Sequence, residues 1–500
     1  MRRYSRQGVN ASGCFLVALI LFCSCTASRL GYNPEEKIPP AKLRADYQLF
    51  RNILEESHPS LYWFQSKDSM DFYFDKVAAL LNDSMTERNF RSHMTYLAAR
   101  IRCGHTSLQY SDRYAAYLDT ARLKTFPLRL KFSGDQAIVT GTLLLKDSMF
   151  PRGTIITSVN GRDINELRDT FFYYLTGDGN SIAGKYQSLS NAGNFGILYK
   201  NLYGLTDTFA VGLIDQKGIN RIVDIPVFDP SRDSLFRIRE GRDRRLTGRE
   251  RRQRARFAAR NLQIDTALSS AYMTVNTFSR GNGLKGFFRK SFRAIRKEGI
   301  KHLAIDVRGN GGGDAGNSTL LTQYIIDKKF RIADSLYAIK KTSRYRRYIR
   351  WQPVYWFMMT LVTNRRDNKF HFGYFERHLF KPKKRNHFKG DIYVLIGGNS
   401  FSATTIFAQQ VKGQSNITLV GEETGGGSYG NTAWMIPEVR LPNTGIRFRL
   451  PKFRLVMNAA LVKEGRGVMP DITVSPDATD IKNGVDVKVD EVRKLILGKQ

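Results

Sequence analysis

Ile392-Tyr-Val-Leu-Ile-Gly-Gly-Asn-Ser-Phe-Ser-Ala-Thr-Thr-Ile-Phe-Ala408 decides the fold of the C-terminal half. The run from Asp391 to Ile396, bounded by Gly397 and Gly398, reads as a strand buried on both faces. A tight Gly-Gly-Asn-Ser turn follows, and then a helix that begins near Ser402. A serine at that point faces the positive end of a helix dipole at a strand edge. This placement suits a nucleophile that must form an oxyanion.

The same grammar recurs on either side. Ala271 to Phe278 and Lys301 to Val307 read as buried strands, with an amphipathic helix carrying Phe287, Phe292 and Ile295 between them. The second of these strands runs into Leu303-Ala-Ile-Asp-Val-Arg-Gly-Asn-Gly-Gly-Gly313, a glycine-rich turn whose N–H groups can converge on an anion. It lacks the Lys-Ser/Thr of a nucleotide-binding loop. Leu419-Val-Gly-Glu-Glu-Thr-Gly-Gly-Gly427 is a further strand entering a glycine turn, and Gly467-Val-Met-Pro-Asp-Ile-Thr-Val474 lies near the end. Strands alternating with helices predict an α/β core over 263–500. A basic, aromatic insertion interrupts that core at about 328–389.

Upstream, apolar residues recur at helical spacing from about Pro40 to Ser111, with Thr86 as an N-cap and Gly104 as a stop. This predicts a helical N-terminal region over 26–120. From 121 to 230 short strands alternate with turns, and Phe150 to Leu167 resembles the centre of a PDZ domain, with Asn160-Gly161 as its tight turn. The Arg-rich stretch 231–262 reads as a solvated linker or an exposed helix joining two domains.

The chain carries 79 Lys+Arg against 45 Asp+Glu, a formal net charge of +34. Such a charge favours anionic partners or simply solvates the surface. No nucleic-acid motif accompanies it, so an anionic surface or a lid over a site is the better reading of the insertion and nucleic acid the poorer. At the N-terminus Arg2, Arg3 and Arg6 precede a short apolar run, Cys14 to Phe22, with the shape of a signal-peptide core. The segment 1–25 resembles a lipoprotein signal peptide, in which Cys25 after the small Ser24 takes the lipid. The expectation is a protein anchored in a bacterial cell envelope. Cys103 is then the single cysteine of the mature body, which excludes an internal disulfide. No metal site stands out: His371, His378 and His387, in the insertion, are expected at the surface, and no cofactor is implied.

Four ordered motifs, Asp-x-Arg-x-Asn-x-Gly-Gly, Ser-Ala, Val-Gly-Glu-x-Thr and Gly-Val-x-Pro-Asp-Ile, make the chain resemble the carboxyl-terminal processing (tail-specific) serine proteases. The resemblance implies a crotonase-like α/β core, a PDZ-like domain that engages extended peptide or protein substrates, and hydrolysis by Ser402. It implies an oxyanion hole from the N–H of Ala403 and of Gly311 or Gly312. Many members place a lysine after the Gly-Glu-x-Thr strand, where Gly427 stands here, so a Ser-Lys dyad is not expected. The tricorn-like branch uses an upstream histidine instead. His105 in Gly-His-Thr is similar to it, and imidazole suits a general base near neutrality. By the same resemblance Glu464 is the orienting acid, with Glu422 as second choice, and Ser400 is the rival nucleophile. A catalytically inactive binding protein on the same fold and a basic envelope protein holding an anionic polymer are the alternatives.

Overall fold

The computed structural model describes residues 32–144, 149–215, 218–233, 246–461 and 464–499. The leader with Cys25 and part of the basic stretch lie outside the described residues.

The expected α/β core is present. Its six-stranded sheet runs in the order Arg260–Asp265, Ser270–Val275, His302–Asp306, Asp391–Ile396, Ile417–Gly421, Ile472–Thr473. The first pair is antiparallel and the rest are parallel. Burial on both faces explains the continuous apolar runs. Leu303, Ile305, Ile392 and Val394 point to one face, packed with Phe288, Phe292 and Phe407 from the helices Leu284–Lys297 and Ala403–Val411. Ala304, Tyr393 and Leu395 point to the other, under Val492 and Ile496 of the C-terminal helix Val487–Leu497. Parallel strands present their C-terminal ends together, where ligand sites of such sheets form. The glycine turn after Asp306 and the turn carrying Ser402 leave adjacent strands at that edge.

Two expected boundaries shift. The basic linker ends earlier, because Arg260–Asp265 joins the main sheet, while 248–259 is an exposed helix as read. The basic insertion is not a separate unit. Its strands Ser335–Ala338, Asn364–Arg366 and Lys369–His371 build a second sheet with Phe453–Val456 and Gly430–Ala433. His371 is buried there, with Nδ1 2.7 Å from Glu376, so the expectation of a surface histidine fails; His378 is exposed as expected.

The N-terminal helices Pro40–Ser57, Lys67–Ala78 and Glu87–Arg100 form as read, and Thr86 caps the last by accepting from Asn89 N–H at 3.3 Å. They do not close their own core. Val439, Leu441, Ile446, Phe448 and Leu450, from near the C-terminus, fill it. Strand Leu108–Gln109 pairs with Arg447–Arg449, with Leu108 opposite Phe448. This pairing carries the preceding segment, and His105 with it, onto the α/β domain.

Residues 128–226 form an antiparallel sheet in the order Leu128–Ser133, Gln136–Thr142, Ile155–Val159, Thr208–Ile214, Asn220–Pro226. The short strand Arg162–Asp163 pairs with the third, through the Asn160-Gly161 turn in which both residues take positive φ. Helices Ile164–Phe172, Ala183–Ser190 and Asn194–Tyr203 are inserted between strands, and Phe126, Phe171, Phe195 and Phe209 fill the core. Among the described residues no helix is long and apolar enough to cross a membrane.

Candidate active site

Ser402 stands one residue before the helix Ala403–Val411, with φ 57° and ψ −119°. A non-glycine residue held there is strained, and such strain persists only where packing over-determines it. Here the turn is clamped: Phe401 N–H donates to Asn310 carbonyl at 3.2 Å, and Ser400 carbonyl accepts from Gly425 N–H at 3.1 Å. Ser400 is not a nucleophile. It is fully buried, its hydroxyl donates to Val307 carbonyl at 2.9 Å and accepts from Gly397 N–H at 3.2 Å.

His105 reaches Ser402 across nearly three hundred residues, with Nε2 3.0 Å from Ser402 Oγ. The imidazole is buried and lies against the Phe401 ring, centroids 4.7 Å apart. Gly104 is required beside it, because a Cβ there would lie 2.6 Å from Phe401 Cζ. Thr106, next in line, is pinned by His58 Nε2 at 2.8 Å; His58 Nδ1 accepts from Ser60 N–H, so Nε2 carries the proton and donates. Burial, and then the charge of Arg449, push the His105 pKa down to about 3.

The glycine turn approaches from the neighbouring strand. Gly312 has φ 101°, and a Cβ there would come 2.8 Å from Ser402 Cβ, so only glycine admits this approach. Its own N–H donates to Asn310 Oδ1 at 2.9 Å. Gly311 N–H and Ala403 N–H, the latter at the first turn of its helix, have no acceptor among the described residues. Gly311 is therefore the glycine left to pair with Ala403, and Gly312 shapes the approach.

The carboxylates expected from sequence lie elsewhere. Glu464 is exposed, and its backbone carbonyl accepts from Asn180 Nδ2 at 2.8 Å. Glu422 is tied to Lys488 and to Ser475 Oγ. His105 Nδ1 is buried without a hydrogen-bond partner among the described residues, so neither glutamate orients the ring. A carboxylate not anticipated from sequence is nearby: Asp178, fully enclosed in the turn Gly177-Asp-Gly-Asn-Ser181. The signal available in the sequence was an acidic residue within a Gly-rich turn that belongs to no periodic segment.

The remaining motifs hold the edge together. Glu423 accepts from Gly467 N–H and pairs with Arg466, and Thr424 Oγ1 accepts from Val468 N–H at 2.8 Å. Asp306 and Asp486 bracket the Arg308 guanidinium, each at 2.7 Å. A cleft of about 1010 Å³ opens over Ser402, with Met358, Phe372, Phe375, Trp434 and Met435 among its apolar walls.

A strained serine at a helix N-terminus, an imidazole at hydrogen-bond distance and free backbone donors at the strand edge define a serine hydrolase. A family model described as peptidase family S41 matches residues 269–474, so this part of the chain is similar to that family. Among solved structures, a serine-to-alanine mutant of CPAF is similar at 12% identity and TM-score 0.65, covering 91% of this chain and 96% of that one. Mature CPAF is similar at 14% identity and TM-score 0.61, with 91% and 96% covered, and CPAF complexed with lactacystin at the same identity and TM-score, with 91% and 98% covered. At these identities the likeness is one of fold. No curated protein sequence matches the chain.

Proposed function

We propose that the protein is an envelope-anchored serine peptidase of the His-dependent type, acting on extended polypeptides through an acyl-enzyme on Ser402. The observation that carries this reading is the 3.0 Å contact between His105 Nε2 and Ser402 Oγ, made with Gly427 in place of the family lysine. His105 takes the Ser402 proton as Oγ bonds to the scissile carbonyl carbon, and Gly311 and Ala403 N–H receive the oxyanion. The C–N bond then breaks as His105 returns the proton to the leaving amine. Water, deprotonated by the same imidazole, attacks the ester and frees Ser402.

The apolar walls of the cleft support a preference for a bulky apolar residue at the scissile bond. The sheet 128–226, with its Asn-Gly turn, supports a PDZ-like role in holding an extended chain. The Cys25 leader supports lipid anchoring, with the basic surface against an anionic face of the envelope.

A serine-directed fluorophosphonate probe tests the core of the reading on purified wild type, Ser402→Ala and His105→Ala. Labelling of wild type alone is the expected result. Labelling that survives in Ser402→Ala moves the nucleophile, and a folded wild type that neither labels nor cleaves apolar peptides sinks the peptidase reading.

A further inference from the structure

We infer that Asp178, rather than a glutamate, is the positioning residue that holds the His105 ring and offsets its charge during turnover. This rests on the His105–Ser402 reading above and adds its third member.

A ring nitrogen of His105, Cys103 Sγ and a carboxylate oxygen of Asp178 all lie within 4.8 Å of one another, and all three residues are buried. Nε2 is committed to Ser402. The two polar atoms left over are complementary: Nδ1 of His105 and Oδ2 of Asp178 are both buried, and neither has a hydrogen-bond partner among the described residues. Orphaned buried donors and acceptors cost enough that such a pair calls for an explanation. A small side-chain adjustment joining Nδ1–H to Oδ2 satisfies both atoms at once and leaves Nε2 as the acceptor that Ser402 requires.

Asp178 is also fixed. Its Oδ1 accepts from Gly104 N–H at 2.8 Å, next to His105 in the chain. The flanking Gly179 N–H donates to Arg102 carbonyl at 2.9 Å, and Ser181 Oγ donates to Thr424 carbonyl at 3.0 Å. The Gly427 backbone N–H also favours the ionised carboxylate, against the larger effect of burial. A Cβ on Gly427 would lie 3.8 Å from Asp178 Cβ, so the position of the family lysine abuts this carboxylate instead.

The electrostatics then demand a counter-charge. A buried imidazole facing Arg449 resists protonation and by itself is a poor acceptor for the Ser402 proton. The other titratable neighbours are Cys103, whose thiol burial pushes up to about 12, and Arg102, whose guanidinium turns to Asn180. Neither can stabilise an imidazolium. Asp178, raised to about 7 by burial, supplies its negative charge only as pH rises past that value.

The test compares the fluorophosphonate labelling rate across pH in wild type, Asp178→Asn and Glu464→Gln, alongside 15N-histidine NMR of the same proteins. Asparagine keeps an oxygen for Gly104 N–H but turns an N–H₂ toward Nδ1, which forces the proton onto Nε2. The expected result is a wild-type rate that climbs through pH of about 7, and a fall of about 10²- to 10⁴-fold in Asp178→Asn with that climb abolished. Glu464→Gln stays close to wild type, and the His105 tautomer switches in Asp178→Asn alone. An Asp178→Asn protein with the wild-type rate, pH profile and tautomer overturns the inference, as does an equal loss in Glu464→Gln. If wild type does not label at all, the peptidase reading fails. The tautomer comparison then still decides whether Asp178 holds the ring.

Discussion

At Ser400 and Ser402, two serines two positions apart divide the work of one turn. Ser400→Ala removes a buried hydroxyl and strands Gly397 N–H, while Val307 carbonyl keeps Asn310 N–H, which costs about 1–3 kcal/mol of stability. Denaturant unfolding should show that loss, with fluorophosphonate labelling retained at permissive temperature. Gly312→Ala should do the reverse damage. Its added Cβ meets Phe401 carbonyl at 2.7 Å in a backbone region closed to alanine, so labelling falls with or before stability. The histidines set the response to acid. His58 is pushed down to about 3 by burial, so below its ordinary 6.5 the unfolded chain takes the proton first. Its contribution to stability is complete above pH 6.5 and is lost as pH falls toward 3. His105 behaves alike, but Asp178, raised to about 7, takes its proton in the folded state first and opposes it. The uncompensated histidine slope is shared by His58 and His93, both lowered by burial, and His58 carries a distinct part of it. Thermal melts of His58→Gln should therefore show a lower Tm at neutrality but a shallower decline through acid pH; an unchanged slope would reject that assignment.

Among the elements, the strands and helices around Ser402 were legible because each buries two faces or one stripe, and the resulting periodicity survives in sequence. The serine turn, the glycine turn and the His105 segment were legible for the same reason: each follows a periodic element directly. Asp178 and the true partner of the N-terminal helices were not. Asp178 belongs to a turn held by contacts with Arg102, Gly104, Thr424, Glu464 and Gly465, all distant in sequence. The strand Arg447–Arg449 reads locally as part of the C-terminal half, yet Phe448 packs on Phe50 with ring centroids 4.9 Å apart. Asp46, buried on the helix Pro40–Ser57, accepts from Asn443 and Thr444 through backbone and side-chain donors at 2.7–3.1 Å. Asp46→Ala should cost about 3 kcal/mol, since it strands several buried donors that a charged acceptor satisfied. Because this junction carries His105 toward Ser402, labelling should weaken in the same variant even where it remains folded. Full labelling in a destabilised Asp46→Ala protein would show that the N-terminal helices do not set the histidine's position.

For the whole molecule, the charge and the cleft meet at one helix. Gln352–Val362 is apolar on nearly every side yet leaves Phe357 58% and Leu361 69% exposed, with Trp351 64% exposed just before it. Exposed Arg346 and Arg347 precede it, and Arg365 follows. Apolar and aromatic side chains ringed by arginine match the boundary of an anionic bilayer, where rings enter the interface and guanidinium groups meet headgroups. Met358 and Val362 of the same helix line the Ser402 cleft, so a bilayer docked here would bring its surface beside the scissile bond. The chain should bind vesicles containing anionic phospholipid more tightly than neutral ones, and salt should weaken the binding without abolishing it. Replacing Trp356, Phe357 and Leu361 together by serine should remove the salt-resistant part. Hydrolysis of a short soluble peptide should stay unchanged in that variant, whereas cleavage of a substrate tethered to the vesicle should fall. Binding that ignores lipid charge, or a triple variant that docks as before, would detach this helix from the membrane and leave the +34 charge as a property of the general surface.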